Sequence, residues 1–241
     1  METIVIFISI ILVASILQTS TGFGFSIMAT PFLLLIFHPH EAIQINIILT
    51  FVISVLLFRK IKTDIDYALL KRFIIGSLAG VPFGIILFIS INLNTFKLGV
   101  SILLLLLTLL LICKFKVKPT KFRDFIVGWI SGLLTTSIGM AGPPLLLYFT
   151  GTDTEKRELR ATTLAYYIFI YCVSLITQII FTGTDKIIWQ SSLYAMVIVI
   201  LGLFIGQIIF HKLNQRTFRL FTYIILSCTG VYLLVDSLST L

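Results

Sequence analysis

Two short stretches of this sequence gather small hydroxyl residues and glycine: Thr19-Ser20-Thr21-Gly22-Phe23-Gly24 and Thr136-Ser137-Ile138-Gly139-Met140-Ala141, the second running on into Gly142. Proline follows each of them, Pro31 in the first case and Pro143-Pro144 in the second. Glycine relieves the backbone where a helix is interrupted, and a helix restarting beyond the interruption presents N–H groups that have no intrahelical acceptor. Those N–H groups, the positive end of the helix dipole and the adjacent hydroxyls make a site for an oxyanion without a buried lysine or arginine. Thr19, Ser20, Gly22, Gly24, Thr136, Ser137, Gly139 and Gly142 are therefore the candidate ligand-facing residues. The blander role of small residues, letting helices approach closely, is assigned to Gly80, Gly84, Gly202 and Gly206.

The elements that must position these residues are set by the solvent. Of the 241 residues, 58% are hydrophobic and 12% are charged, against about a quarter charged in a soluble domain. Runs such as Ile4 to Leu17, Ile43 to Phe58 and Ile187 to Phe210 approach the roughly 20 apolar residues that cross a ~30 Å hydrocarbon core. Unbroken runs such as Leu103 to Leu107 do not alternate as the strands of a membrane β-barrel do. The fold class is thus an all-α, polytopic membrane protein with the lipid bilayer as its solvent. The net charge of +8 sits in short tethers between apolar runs, where topology explains it, and no nucleic-acid partner is expected. The N-terminal run has neither the basic start nor the A-x-A-like end of a signal peptide and is expected to be retained.

Ten apolar segments result, near residues 3–18, 23–37, 41–58, 69–90, 96–113, 122–138, 142–150, 160–182, 187–210 and 218–238. Sixteen of the eighteen basic residues fall in four connections, around Arg59 to Arg72, Lys114 to Arg123, Lys156 to Arg160 and Lys212 to Arg219, which the positive-inside rule places in the cytoplasm. Both termini are then outside. On this assignment segments three, four, five, eight, nine and ten span the membrane. Segments one plus two and six plus seven return to the side they enter from. Thr3 to Leu17 covers about 22 Å and Pro143 to Thr150 about 12 Å, so these hairpins read as partial crossings meeting inside the protein. Three crossings plus a hairpin per half makes two inverted repeats, residues 1–113 and 122–241, joined by a basic cytoplasmic linker at 114–121. Paired interruptions at corresponding places of inverted halves point to a transporter's solute site.

The remaining polar residues narrow the chemistry. Every acid lies in a loop, at a segment end or near a terminus, which argues against a carboxylate relay for protons or a carboxylate cage for cations. Asn46 and Thr163 occupy similar places in segments three and eight and complete the candidate site. Arg160, at the start of segment eight, reads either as an anion attractor at the inner mouth or as a topology residue. His38-Pro39-His40 lacks a third ligand, the cysteines Cys113, Cys172 and Cys228 show no C-x-x-C spacing, and no hydrolase arrangement lies in the apolar segments. No metal, cofactor or catalytic residue is expected, and the chain is read as not an enzyme.

The paired motifs Gly22-Phe23-Gly24 with Pro31 and Gly139-Met140-Ala141-Gly142 with Pro143-Pro144, followed by Arg160-Ala161-Thr162, resemble the sulfite exporter TauE/SafE family, also grouped with sulfonate permeases. The resemblance covers nearly the whole chain, although family members usually carry a richer glycine run at both breaks. It implies transport of a small anionic solute, sulfite or an organosulfonate, commonly outward and by alternating access. An inside-negative potential of ~100 mV favours the exit of an anion by about 2.3 kcal/mol per charge. Two alternatives stay open: an importer of a sulfur compound that uses Cys172 and Cys228 as relay contacts, and an anion channel. The one protein partner admitted is a second copy, as a homodimer.

Overall fold

The computed structural model describes residues 2–90, 118–152 and 154–212, with scattered helical residues between 98 and 109 and between 220 and 235. Among the described residues the regular structure is entirely helical: α1 (Glu2–Thr21), α2 (Phe25–Leu33), α3 (Pro39–Ile61), a single 3-10 turn (Lys62–Asp64), α4 (Tyr67–Ser90), α5 (Lys121–Ile138), α6 (Gly142–Gly151), α7 (Lys156–Thr182) and α8 (Lys186–Lys212). Segments five and ten, and the first half of the linker at 114–121, fall outside the continuously described residues.

Helix boundaries follow local chemistry. Pro39 opens α3, its fixed φ suiting the first helical position, and the Glu41 carboxylate reaches back to the His38 N–H at 3.0 Å. The Asp66 carboxylate accepts from the N–H groups of Ala68 and Leu69, both at 2.9 Å, capping α4. Thr120 caps α5 by accepting from the Arg123 N–H. Gly183, at φ 79°, ends α7.

Five helices, α1, α3, α4, α7 and α8, are long and apolar enough to cross a membrane. Their outer faces carry large apolar side chains, among them Ile75, Phe83 and Ile86 of α4 and Leu193, Val197 and Phe204 of α8. Such a surface is stable only against hydrocarbon, and helices satisfy their backbone there without water. The chain is a multi-pass membrane protein. The length of α1 differs from the sequence reading: it runs for 20 residues, about 30 Å at ~1.5 Å per residue, a full crossing rather than a partial one. The 3.6-residue repeat carries on through Gln18-Thr19-Ser20-Thr21, where the Ser20 and Thr21 hydroxyls donate to the carbonyls of Ile16 and Leu17 one turn back, at 2.8 Å and 2.6 Å. The short arms are α2, of 9 residues, and α6, of 10.

At the centre, α3 and α7 lie antiparallel. At one end His40 and Gln44 of α3 reach Thr182 and the Gly183 carbonyl. At the other, the Thr162 hydroxyl accepts from the Asp66 N–H. Around this pair the hairpin arms dock on the helices of the other half. α5 packs along α4, with Gly76 and Gly80 of α4 against the backbone at Phe125 and Trp129, and Gly128 and Gly132 of α5 against the carbonyls of Phe73 and Ser77. α1 packs along α8, where a Cβ on Gly202 or Gly206 would lie 2.5–2.6 Å from the Cβ atoms of Ser15 and Thr19. The glycine rows serve close approach, as their four-residue spacing suggested.

One acid is not merely a surface group at a segment end. Asp124, in the first turn of α5, is fully buried, bonded to Arg72 Nη1 at 2.6 Å and accepting from the Tyr148 hydroxyl at 2.6 Å. This triad pins α4, α5 and α6 together at one level.

Candidate functional site

The two interruptions are left-handed turns. Gly22 has φ 88° and Gly139 has φ 71°, a region that L side chains rarely enter. Space adds a second requirement at both. A Cβ on Gly22 would lie 2.8 Å from the Cα of Arg160, and one on Gly139 would lie 2.7 Å from Asn46 Nδ2. Each turn is thus pressed against the first or middle part of the long helix contributed by the other half.

The two hairpins meet. The position a Cβ would take on Gly142 is 3.4 Å from Phe23 Cβ and 3.8 Å from Ile27 Cδ1, so the start of α6 lies on the turn between α1 and α2. Phe23, Met140 and Ala141 are all buried in this junction.

A row of polar side chains on α7 lies against both turns: Arg160, Thr163, Tyr167, Tyr171, Ser174 and Gln178. Their spacing of three or four residues places them on one face of the helix. Arg160 Nε donates to the Thr19 carbonyl at 2.7 Å. The Tyr171 hydroxyl donates toward the Gly139 carbonyl at 3.1 Å and lies 3.2 Å from Ser26 Oγ, linking the second turn to the start of α2. Ser174 shares a hydrogen bond with the Thr136 hydroxyl at 2.8 Å, and Gln178 Nε2 donates to the Thr136 carbonyl at 2.8 Å. α3 contributes from the other side through Asn46 Nδ2, which donates to the Gly139 carbonyl at 2.7 Å. Carbonyls freed where α1 and α5 end are thereby satisfied by side chains, as interrupted backbone in an apolar medium demands.

Not every hydroxyl at the breaks is free to bind. Ser20 and Ser137 each donate to the carbonyl one turn back, Ile16 and Leu133, at 2.8 Å. Thr136 is engaged with Ser174. By contrast Thr19 Oγ1, Asn46 Oδ1, Thr163 Oγ1 and the Tyr167 hydroxyl are buried with no partner among the described residues. Backbone donors are also unequal. The first turn of α2 offers the N–H groups of Phe25, Ser26 and Ile27, because the ladder begins with the Met28 N–H on the Gly24 carbonyl at 3.0 Å. The first turn of α6 contains Pro143 and Pro144, which have no N–H to offer.

The residues expected at the site are therefore gathered at one junction, with Thr19, Gly22 and Gly24 at the first turn, Thr136, Gly139 and Gly142 at the second, and Asn46 and Thr163 on the two central helices. A separate groove of about 410 Å³, lined by residues such as Phe7, Ile36, Phe37 and Tyr194, is predominantly apolar and carries no charged side chain. Among the described residues no group of His, Cys, Asp and Glu has the makings of a metal centre.

A family model described as sulfite exporter TauE/SafE matches residues 7–233. The chain belongs to the sulfite exporter TauE/SafE family. This is a family of membrane transporters, which accords with the multi-pass helical fold and with a small anionic solute. Comparison with curated proteins and with solved structures finds no match.

Two features of this TauE/SafE chain were not legible beforehand. The tyrosines Tyr166, Tyr167 and Tyr171 are all buried, although their aromatic character reads in sequence as ordinary core. The signal was the polar stripe itself: six polar residues at helical spacing within a span that hydropathy assigns to lipid. Arg160 is the second. It was weighed as an attractor at the inner mouth or a topology residue, yet it is only 4% exposed and stands against the first turn.

Proposed function

We propose that the junction of the two hairpins is the solute site of an anion carrier, which exports sulfite or an organosulfonate by alternating access. The observation that carries this reading is the meeting of Phe23 and Gly142 against the polar face of α7, where the two interruptions pack into one buried, largely neutral junction rich in donors. Thr19, Ser20, Gly22, Gly24, Asn46, Thr136, Ser137, Gly139, Gly142 and Thr163 line it. The strongest donors are the first-turn N–H groups of α2 and the unpartnered hydroxyls of Thr19 and Thr163. Ser20 and Ser137 serve as small walls, since their own protons are committed.

The close packing of Phe23 on the start of α6 favours a carrier over an open pore. For an anion to pass, that contact must part on one side at a time. The halves 1–113 and 122–241, joined at 114–121, are taken as inverted copies whose relative rocking opens the junction alternately. The reciprocal docking of α5 on α4 and of α1 on α8 suits such a motion. The termini lie outside a bacterial inner membrane, and the membrane potential drives the anion outward.

The test is purified protein in liposomes with an imposed inside-negative potential, assayed with sulfite, sulfate, thiosulfate and sulfoacetate. Saturable flux of at least one of these is expected. Flux that never saturates, with discrete conductance steps in single-protein recording, would point to a channel instead. Loss of transport on replacing Cys172 and Cys228 by Ser would point to the cysteine-relay importer; Cys172 is half-buried and Cys228 exposed.

A further inference from the structure

A guanidinium withdrawn from water costs several kcal/mol unless an opposite charge and further hydrogen bonds compensate it. Arg160 is 4% exposed, and among the described residues no carboxylate lies within ion-pair distance of it; Asp124, the buried acid, belongs to Arg72. Asp64 influences Arg160 only from beyond that distance. The contacts that hold the side chain are neutral. Nε donates to the Thr19 carbonyl at 2.7 Å, Nη2 donates to Gln207 Oε1 at 2.8 Å, and the ring centre of Phe210 lies 4.1 Å from the guanidinium carbon. Nη1 makes no hydrogen bond among the described residues. These partners orient the fork but leave its charge uncompensated, and they do so at the first left-handed turn, where Gly22 touches the Arg160 backbone.

We infer that Arg160 is the charged element of the solute site: the transported oxyanion is the counter-ion its burial lacks. Nε remains on the Thr19 carbonyl and keeps the fork in place. The anion takes Nη2 from Gln207 and also engages Nη1, a two-point contact that suits the planar fork and an oxyanion. Gln207 then acts as a placeholder on α8, competing with the solute. This inference rests on the anion-carrier reading and adds the residue that sets affinity by charge.

Concentration-dependent flux in proteoliposomes decides it, using whichever of sulfite, sulfate, thiosulfate and sulfoacetate the unaltered protein carries best. Arg160→Gln should raise KM about tenfold or more while turnover at saturation changes far less, the loss of a charge-assisted pair. Arg160→Lys, keeping the charge but not the fork, should fall between. Gln207→Leu removes the competitor without touching the cation and should lower KM. An unchanged KM in Arg160→Gln, with saturable flux intact, overturns the inference and leaves the carrier reading standing. If Arg160→Gln does not give monodisperse protein, Gln207→Leu decides alone: a KM equal to that of the unaltered protein, or higher, makes Arg160 a strut. Absence of saturable flux in the unaltered protein sinks the carrier reading and the inference together.

Discussion

Asn46 Nδ2 donates to the carbonyl oxygen of Gly139 at 2.7 Å, across 93 residues of sequence. Gly139 is in a left-handed turn, so its carbonyl has left the α5 ladder and would otherwise be an unsatisfied acceptor in a medium with no water to offer. The Tyr171 hydroxyl shares the duty at 3.1 Å. Asn46→Ala should lower stability by about 1–2 kcal/mol, the range for stranding a buried acceptor with one partner left. Asn46→Asp should cost more, because a carboxylate facing a carbonyl repels it. Melting of the detergent-solubilised variants, followed by tryptophan fluorescence, checks the order.

The glycines of the first break should divide sharply. Gly22→Ala meets a positive φ and the Arg160 Cα together, and backbone cannot yield. Gly24→Ala meets Leu17 Cβ at 3.0 Å and the Leu17 carbonyl carbon at 3.3 Å, a tight fit that a shift of a few tenths of an ångström relieves, and no φ in the left-handed region. Monodisperse yield on size-exclusion chromatography should collapse for Gly22→Ala and survive for Gly24→Ala. Equal yields would show that the first turn is not held where Arg160 stands.

Ser20 and Ser137 lend themselves to a paired test of size against hydrogen bonding. Because each hydroxyl proton is spent on its own helix, Ser→Ala at either site should leave anion flux within about two-fold, a loss that does not touch the solute. Ser→Leu should abolish flux while the protein still inserts and purifies. A strong loss in the Ala variants would mean that these hydroxyls turn toward the solute during transport.

The Arg72–Asp124–Tyr148 triad bears on stability rather than on the solute. Asp124→Asn leaves Arg72 unpaired and keeps an acceptor for Tyr148, and should cost about 1–3 kcal/mol. Arg72→Gln alone leaves the buried carboxylate with the Tyr148 proton as its one partner among the described residues and should cost more. The double variant should be less destabilised than the sum of the two, a coupling that a double-mutant cycle on melting or denaturant curves measures directly.

How far the chain could be read in advance differs from feature to feature. The interrupted motifs were visible because glycine beside hydroxyl residues, bordered by proline, contradicts the apolar helical pattern on both sides. The length of α1 was not, since serine and threonine read as an interruption when they are counted as polar and as helix when their hydroxyls bond one turn back. The row from Arg160 to Gln178 was readable only in part. Thr163 and Gln178 stand out as polar residues in an apolar span, whereas Tyr167 and Tyr171 pass for packing until a partner for the hydroxyl is known.

Composition and spacing alone were enough to settle the solvent and the helical class and to pick out both breaks, because each rests on local chemistry: hydrocarbon demands closed helices, and a left-handed turn demands glycine. Which breaks meet, which hydroxyls are already spent and which cation is buried depend on contacts between residues far apart in the chain, such as Phe23 with Gly142 and Arg160 with Thr19. Only the tertiary structure decides those, since a residue's donors are available or not according to what the fold brings within hydrogen-bond reach.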